Sequence, residues 1–148
     1  MAHSDSPECN WDSYYSDDKY AVPEFIDNAL WRNYRAVLRR HGAAGRPLRV
    51  LELGGANSCY FKRFCTDFQI DNYTIVDNNP VGMARFPHKD DPRVTSIQAD
   101  LLGEPLARIH EGYDVVLSSG LIEHFIPGET LHIVRQHFLA ARPGSAGA

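Results

Sequence analysis

Apolar residues return along this chain first at the spacing of a helix and then in short runs, and that change of rhythm outlines an architecture. After a polar start, Pro23 opens a segment in which Ile26, Leu30, Tyr34, Val37 and Leu38 share one helical face. Arg32, Arg35, Arg39 and Arg40 fall between them and predict a solvated opposite face. The breaker HGAAGRP, His41 to Pro47, ends this helix. Four short apolar runs then alternate with helical or irregular stretches: LRVLEL from Leu48, NYTIVD from Asn72, RVTSIQ from Arg93 and YDVVLS from Tyr113. Alternation of this kind predicts βαβ units and an α/β fold built on a parallel sheet.

Between the first two runs, Tyr60, Phe61, Phe64 and Phe68 form the apolar face of a helix and are read as core rather than as a base-stacking platform. The next connection, VGMARFPHKDDP, contains Pro87 and Pro92 and leaves room for only a short helix. A last helix is expected from about Gly128 to Ala141, burying Leu131, Val134 and Phe138 and stopping at Arg142, Pro143 and Gly144. The small residues of the closing GSAGA cannot supply an apolar strand, so residues 143–148 are expected to form a disordered tail. Residues 1–22 read as a polar N-terminal segment and residues 23–142 as the folded domain.

Composition narrows the partners. A chain of 148 residues is one domain's worth of material and buries roughly 70% of its unfolded surface. The formal charge of −4 argues against a nucleic acid held mainly through its phosphates. No stretch reads as a membrane span. The polar, acidic N-terminus lacks the apolar centre of a secretory signal, which makes a cytoplasmic location the default expectation. Cys9, Cys59 and Cys65 lack paired metal or redox spacing and read as free thiols; Cys59 and Cys65 fall on different faces of one predicted helix. The histidines are scattered, so no metal is expected.

The densest chemistry lies in LELGGANSCY, Leu51 to Tyr60. An apolar run ends in the acid Glu52 and breaks at once into a turn of small residues. Gly54 and Gly55 allow the backbone to turn tightly, while Ala56 and Ser58 keep bulk away from an approaching ligand. A dinucleotide fingerprint wants glycine or alanine where Cys59 stands, so NAD fits less well. Later strands also end suitably. Asp77 closes the second run and is followed by Asn78, Asn79 and Pro80; the pattern suits either a ligand carboxylate or a helix-capping turn. The third leads into Asp100 and Leu101, where Asp100 serves equally well as a ligand group or as the cap of a short helix before Pro105. The fourth exits through Ser118, Ser119 and Gly120 into LIEHF, in which His124 is a candidate base or a locally packed imidazole.

Glu52, Gly54, Ala56 and Ser58, the acid at Asp77 and the LIEHF segment, in that order, resemble the motifs of class I S-adenosylmethionine-dependent methyltransferases. The resemblance implies a Rossmann-like open parallel sheet with strand order 3-2-1-4, truncated relative to the family's seven strands. It implies S-adenosylmethionine as cofactor, held by Glu52, Gly54, Gly55, Ala56, Asn57 and Asn78, with Asp77 at the ribose, Asp100 and Leu101 at the adenine and Ser119 at the methionine end. It also implies an aromatic segment closing over the cofactor, which here is WDSYY with Tyr15 as the lid candidate, or else ordinary packing of Trp11, Tyr14 and Tyr15. The expected activity is methyl transfer to a small-molecule acceptor; the alternative is a non-catalytic domain that binds the cofactor or a partner. A four-stranded sheet would leave Val115, Val116 and Leu117 on an open edge, predicting a homodimer or a partner chain across it.

Overall fold

The first strand, β1 (Leu48–Leu53), is buried at every position except Arg49, as a strand covered on both faces must be. It pairs in parallel with β2 (Ile70–Asp77) on one side and with β4 (Tyr113–Ser118) on the other; β3 (Val94–Gln98) lies outside β2. The computed structural model describes residues 10–17, 29–103, 109 and 112–147. The expected helix start at Pro23 and Ile26, Cys9, and the segment running into Pro105 lie outside them. Helices α1 (Trp11–Ser16), α2 (Ala29–Arg40), α3 (Phe61–Asp67), α4 (Pro80–Arg85) and α5 (Pro127–Ala140) flank the sheet.

Alternate side chains feed two cores. Leu48, Val50, Tyr73, Ile75, Val115 and Leu117 face α2, α3 and α4, while Leu51, Leu53, Val76 and Val116 face α5. The α3 face carries Phe61 and Phe64, flanked by buried Tyr60 and Phe68, in the core as expected. Cys65 lies on α3, but Cys59 precedes it; both are free thiols.

The sheet has a fifth strand. Ala141–Gly147 forms β5 and pairs in parallel with β4, giving the order β3-β2-β1-β4-β5. The expected order 3-2-1-4 is kept and a fifth strand is added beyond β4, so residues 143–147, expected as a disordered tail, are strand instead. Strand pairing is made by backbone groups and needs no apolar side chain, and Pro143 is accommodated where the register shifts between Tyr113 and Val115. An ion pair adds a specific anchor: Arg142 Nη2 lies 2.6 Å from Oδ1 of Asp114, a buried carboxylate on β4. Asp114 also accepts from Arg46 and from the backbone N–H of Arg49, so one acid ties β5 to the start of β1. With β5 paired along β4 as far as Val116, the edge that predicted a second chain is covered at Val115 and Val116.

Two helices are rotated from their expected settings. In α5, Ile133, Gln136 and Ala140 are buried, whereas Leu131 and Phe138 are each 71% exposed. Ile133 and His137 set the facing: His137 accepts from the Ser118 hydroxyl at 3.0 Å and donates to the Ile133 carbonyl at 2.8 Å. In α2, Trp31 and Leu38 are buried and Tyr34 half-buried, while Leu30 and Val37 point outward. Trp31 is the anchor, and its indole N–H donates to Asp67 at 2.7 Å. Arg35 follows it inward to the same carboxylate rather than standing on the solvated face.

Candidate functional site

Strand order reverses between β1 and β4, and at such a point loops leaving adjacent strands diverge to open a crevice. A cleft of about 230 Å³ lies there. Gly54 makes the turn out of β1 with φ +71°, a conformation that favours glycine, and a Cβ at that position would come within 2.8 Å of the end of the Leu121 side chain. Gly54 N–H donates to the Val76 carbonyl at 2.8 Å, pinning the loop to the end of β2.

Gly54 and Asn57 line the cleft from the first loop. Asp77 and Asn78 line it from the end of β2, and Asp100 and Leu101 from the end of β3. Ser119 lines it beyond β4, and Tyr15 lines it from α1. Glu52, Gly55 and Ala56 are not among its lining residues and stand behind the loop. Ala56 donates its N–H to Asp77 Oδ2 at 3.1 Å, while Asn79 N–H reaches Oδ1 at 2.9 Å. Each oxygen of Asp77 is thereby oriented. Burial raises the Asp77 pKa, and these backbone donors oppose the rise.

Glu52 is turned into the core beneath the loop, because the period of two along β1 puts it on the same face as Val50. Its Oε2 accepts from the Ser58 hydroxyl and the Tyr73 hydroxyl, each at 2.5 Å. Ser58 Oγ in turn accepts the Tyr60 N–H at 3.2 Å, so the acid braces the loop as it enters α3. Burial pushes the Glu52 pKa up to about 7 despite these two donors, with the Asp77 charge adding to the rise. Asp100 uses one carboxylate oxygen in a turn, accepting the Leu102 N–H at 2.9 Å. Ser119 and Tyr60 share a hydroxyl contact at 3.2 Å.

Trp11, Gly120, Leu121, His124 and Phe125 complete the wall. Leu121 and Phe125 belong to the LIEHF segment singled out by its place after the fourth strand, although neither was named for a role of its own. That place is itself the rule for this fold. His124 stands in a 3-10 turn, Ile122–His124, with its ring edge-on to Trp11 at 4.9 Å. Two carboxylates face the cleft, and none of its described lining residues is Lys or Arg. Such a wall suits a cationic ligand with hydroxyl and amino groups better than one bearing phosphates. Among the described residues there is no cluster of three or more metal-ligating side chains.

Solved structures carry this same framework. An O-methyltransferase family protein from Burkholderia thailandensis superposes with a TM-score of 0.60 at 22% identity, over 80% of this chain and 36% of that one. The N-methyltransferase NodS of Bradyrhizobium japonicum, determined with S-adenosylhomocysteine, gives 0.62 at 16% identity, over 89% and 66%. The fold is that of the class I methyltransferases. The trans-methyltransferase CalH, also solved with S-adenosylhomocysteine, gives 0.58 at 18% identity, over 77% of this chain and 34% of its own. This class I methyltransferase fold thus spans about a third to two thirds of the length of these structures. No family model matches the sequence, and no curated protein does. The neighbours' names include O- and N-methyltransferases, so the shared fold does not choose an acceptor atom.

Proposed function

We propose that the cleft binds S-adenosylmethionine and that the domain is of methyltransferase type, acting on a small-molecule acceptor. The observation that carries this reading is the cleft itself. Gly54, Asp77, Asp100 and Ser119, from four separated segments, meet in one acidic crevice at the strand ends. Asp77 suits ribose hydroxyls, because its two oxygens are oriented by the Ala56 and Asn79 N–H groups and retain further acceptor capacity. Asp100 is the acceptor for an exocyclic amine, with the buried Leu101 beside the ring. Ser119 borders the opposite end.

When bound, S-adenosylmethionine supplies a methyl group on a positively charged sulfur. The chain's part is to orient it and exclude water. Trp11, Leu121 and Phe125 are the water-excluding surfaces, and His124 is the lining imidazole placed to take a proton from an acceptor. Binding without transfer is the second reading. It is favoured by the contact of His124 with Trp11, which gives that ring a packing role.

Calorimetric titration with S-adenosylhomocysteine beside NAD tests the cofactor class: heat is expected from the first and none from the second at equal concentration. Asp77→Ala should weaken S-adenosylhomocysteine binding about tenfold or more, the loss expected for hydrogen bonds to a charged acceptor. Equal affinity in the variant would remove Asp77 from the site. Activity against hydroxyl- and amine-bearing small molecules is a separate assay, and its failure with binding intact selects the second reading.

A further inference from the structure

The α1 helix meets the cleft on one flank and is fastened on the other. Trp11 and Tyr15 line the cleft, with Trp11 reaching across to the His124 ring. On the far flank, Asn79 Nδ2 donates to Asp12 Oδ1 at 2.6 Å. Arg85 donates to the Tyr15 carbonyl, and the Tyr15 ring lies so close over Gly82 that a Cβ there would approach within 2.8 Å. A helix of six residues has no stability of its own, so these tertiary contacts determine where it sits.

Asn79 joins that helix to the chemistry of the cleft. It is 7% exposed and is absent from the cleft wall, as is Asp12. Its N–H donates to Asp77, and its side-chain oxygen accepts the Gly82 N–H at 2.8 Å, capping α4. Because that cap occupies the oxygen, the amide nitrogen must face Asp12. One buried amide thus links the carboxylate at the end of β2, the start of α4 and the helix that bears two aromatic walls.

We propose that Asp12 and Asn79 form a latch that sets the aromatic helix over the cleft, with Asn79 as a positioning residue between Asp77 and α1. Asp12 is adjacent to Trp11, so the latch acts on the end of α1 that reaches His124, while Tyr15 packing holds the other. The docking stands on hydrogen bonds and packing alone; its effect on ligand affinity rests on the cofactor reading above.

The two tryptophans, Trp11 and Trp31, separate the signals in the whole chain. Trp31 is fully buried, so acrylamide quenching of ligand-free protein reads Trp11. Asp12→Ala removes the acceptor at an exposed position. Asn79→Asp keeps an oxygen to cap Gly82 but sets two carboxylates face to face. Both substitutions are expected to increase quenching and to weaken S-adenosylhomocysteine binding about fivefold, the scale of one net hydrogen bond. Combining Asp12→Asn with Asn79→Asp exchanges donor and acceptor, and should restore both readouts. Failure of the exchange to reverse the increase in quenching would overturn the latch, as would unchanged quenching in Asp12→Ala. If Asn79→Asp does not fold, Asp12→Ala decides alone. Wild-type protein that binds no S-adenosylhomocysteine would overturn the cofactor reading, while the ligand-free quenching still decides the latch.

Discussion

Glu52 occupies the point where the cleft loop meets the core, and its setting has a pH signature. Its pKa is raised from 4.5 to about 7 because burial disfavours the charged form more than Ser58 and Tyr73 favour it. The folded state therefore binds this proton more tightly than the unfolded chain. The resulting stabilisation is complete below the unfolded value of 4.5 and disappears as pH rises through about 7. Its full size is about 3 kcal/mol, as an order of magnitude. Glu52→Gln should flatten the dependence of the melting temperature between those limits and raise it at pH above 7. Thermal melts across that range check this, and an unchanged slope would mean that Glu52 is not the titrating group. Glutamine retains an acceptor for Ser58 and Tyr73, so the brace on the loop survives the substitution. The acid at position 52 was legible as a feature of the motif. Its orientation was not, because a strand residue's face depends on which side of the sheet each core occupies.

At the scale of elements, α5 separates pattern from packing. Its apolar residues supply two stripes, one through Leu131 and Phe138 and one through Ile133 and Ala140, and local spacing does not rank them. The sheet does, by receiving Ile133 into the core beside β4. Ile133→Ala is accordingly expected to cost about 2–5 kcal/mol. Phe138→Ala, at a site 71% exposed, should change stability by only about 0.5 kcal/mol. Chemical denaturation of the two variants gives both numbers, and a larger loss at Phe138 would reverse the assignment. A related choice decided α2, where Trp31 displaced Leu30 and Val37 from the core because its indole also finds the Asp67 carboxylate. Helix boundaries were more legible: Pro127 at the first turn of α5 and the Asn79-Pro80 start of α4 carry their own signals.

For the molecule as a whole, Asp114 shows how one buried charge completes the sheet. Arg46, Arg142 and the Arg49 N–H converge on it, and Arg142 brings β5 alongside β4. Both arginines are more than a third exposed, so each pair alone contributes little in water. Arg142→Ala is expected to lower global stability by less than about 1 kcal/mol while accelerating amide hydrogen exchange in residues 141–147. Unchanged exchange there would show that backbone pairing suffices to hold β5. Sequence reading had no means of finding this strand, since neither apolar content nor alternation marks ARPGSAG.

The α/β alternation, the glycine turn after β1 and the acids at the end of β2 and after β3 were written locally in the chain, because strand periodicity and backbone conformation are settled between near neighbours. Tertiary structure decided which of those residues face the cleft. It drew Glu52 inward and brought Trp11, Leu121 and Phe125 to the wall. Such outcomes depend on contacts between segments distant in the chain: an apolar or acidic residue carries the capacity for burial or binding, and only the neighbour it meets selects between them.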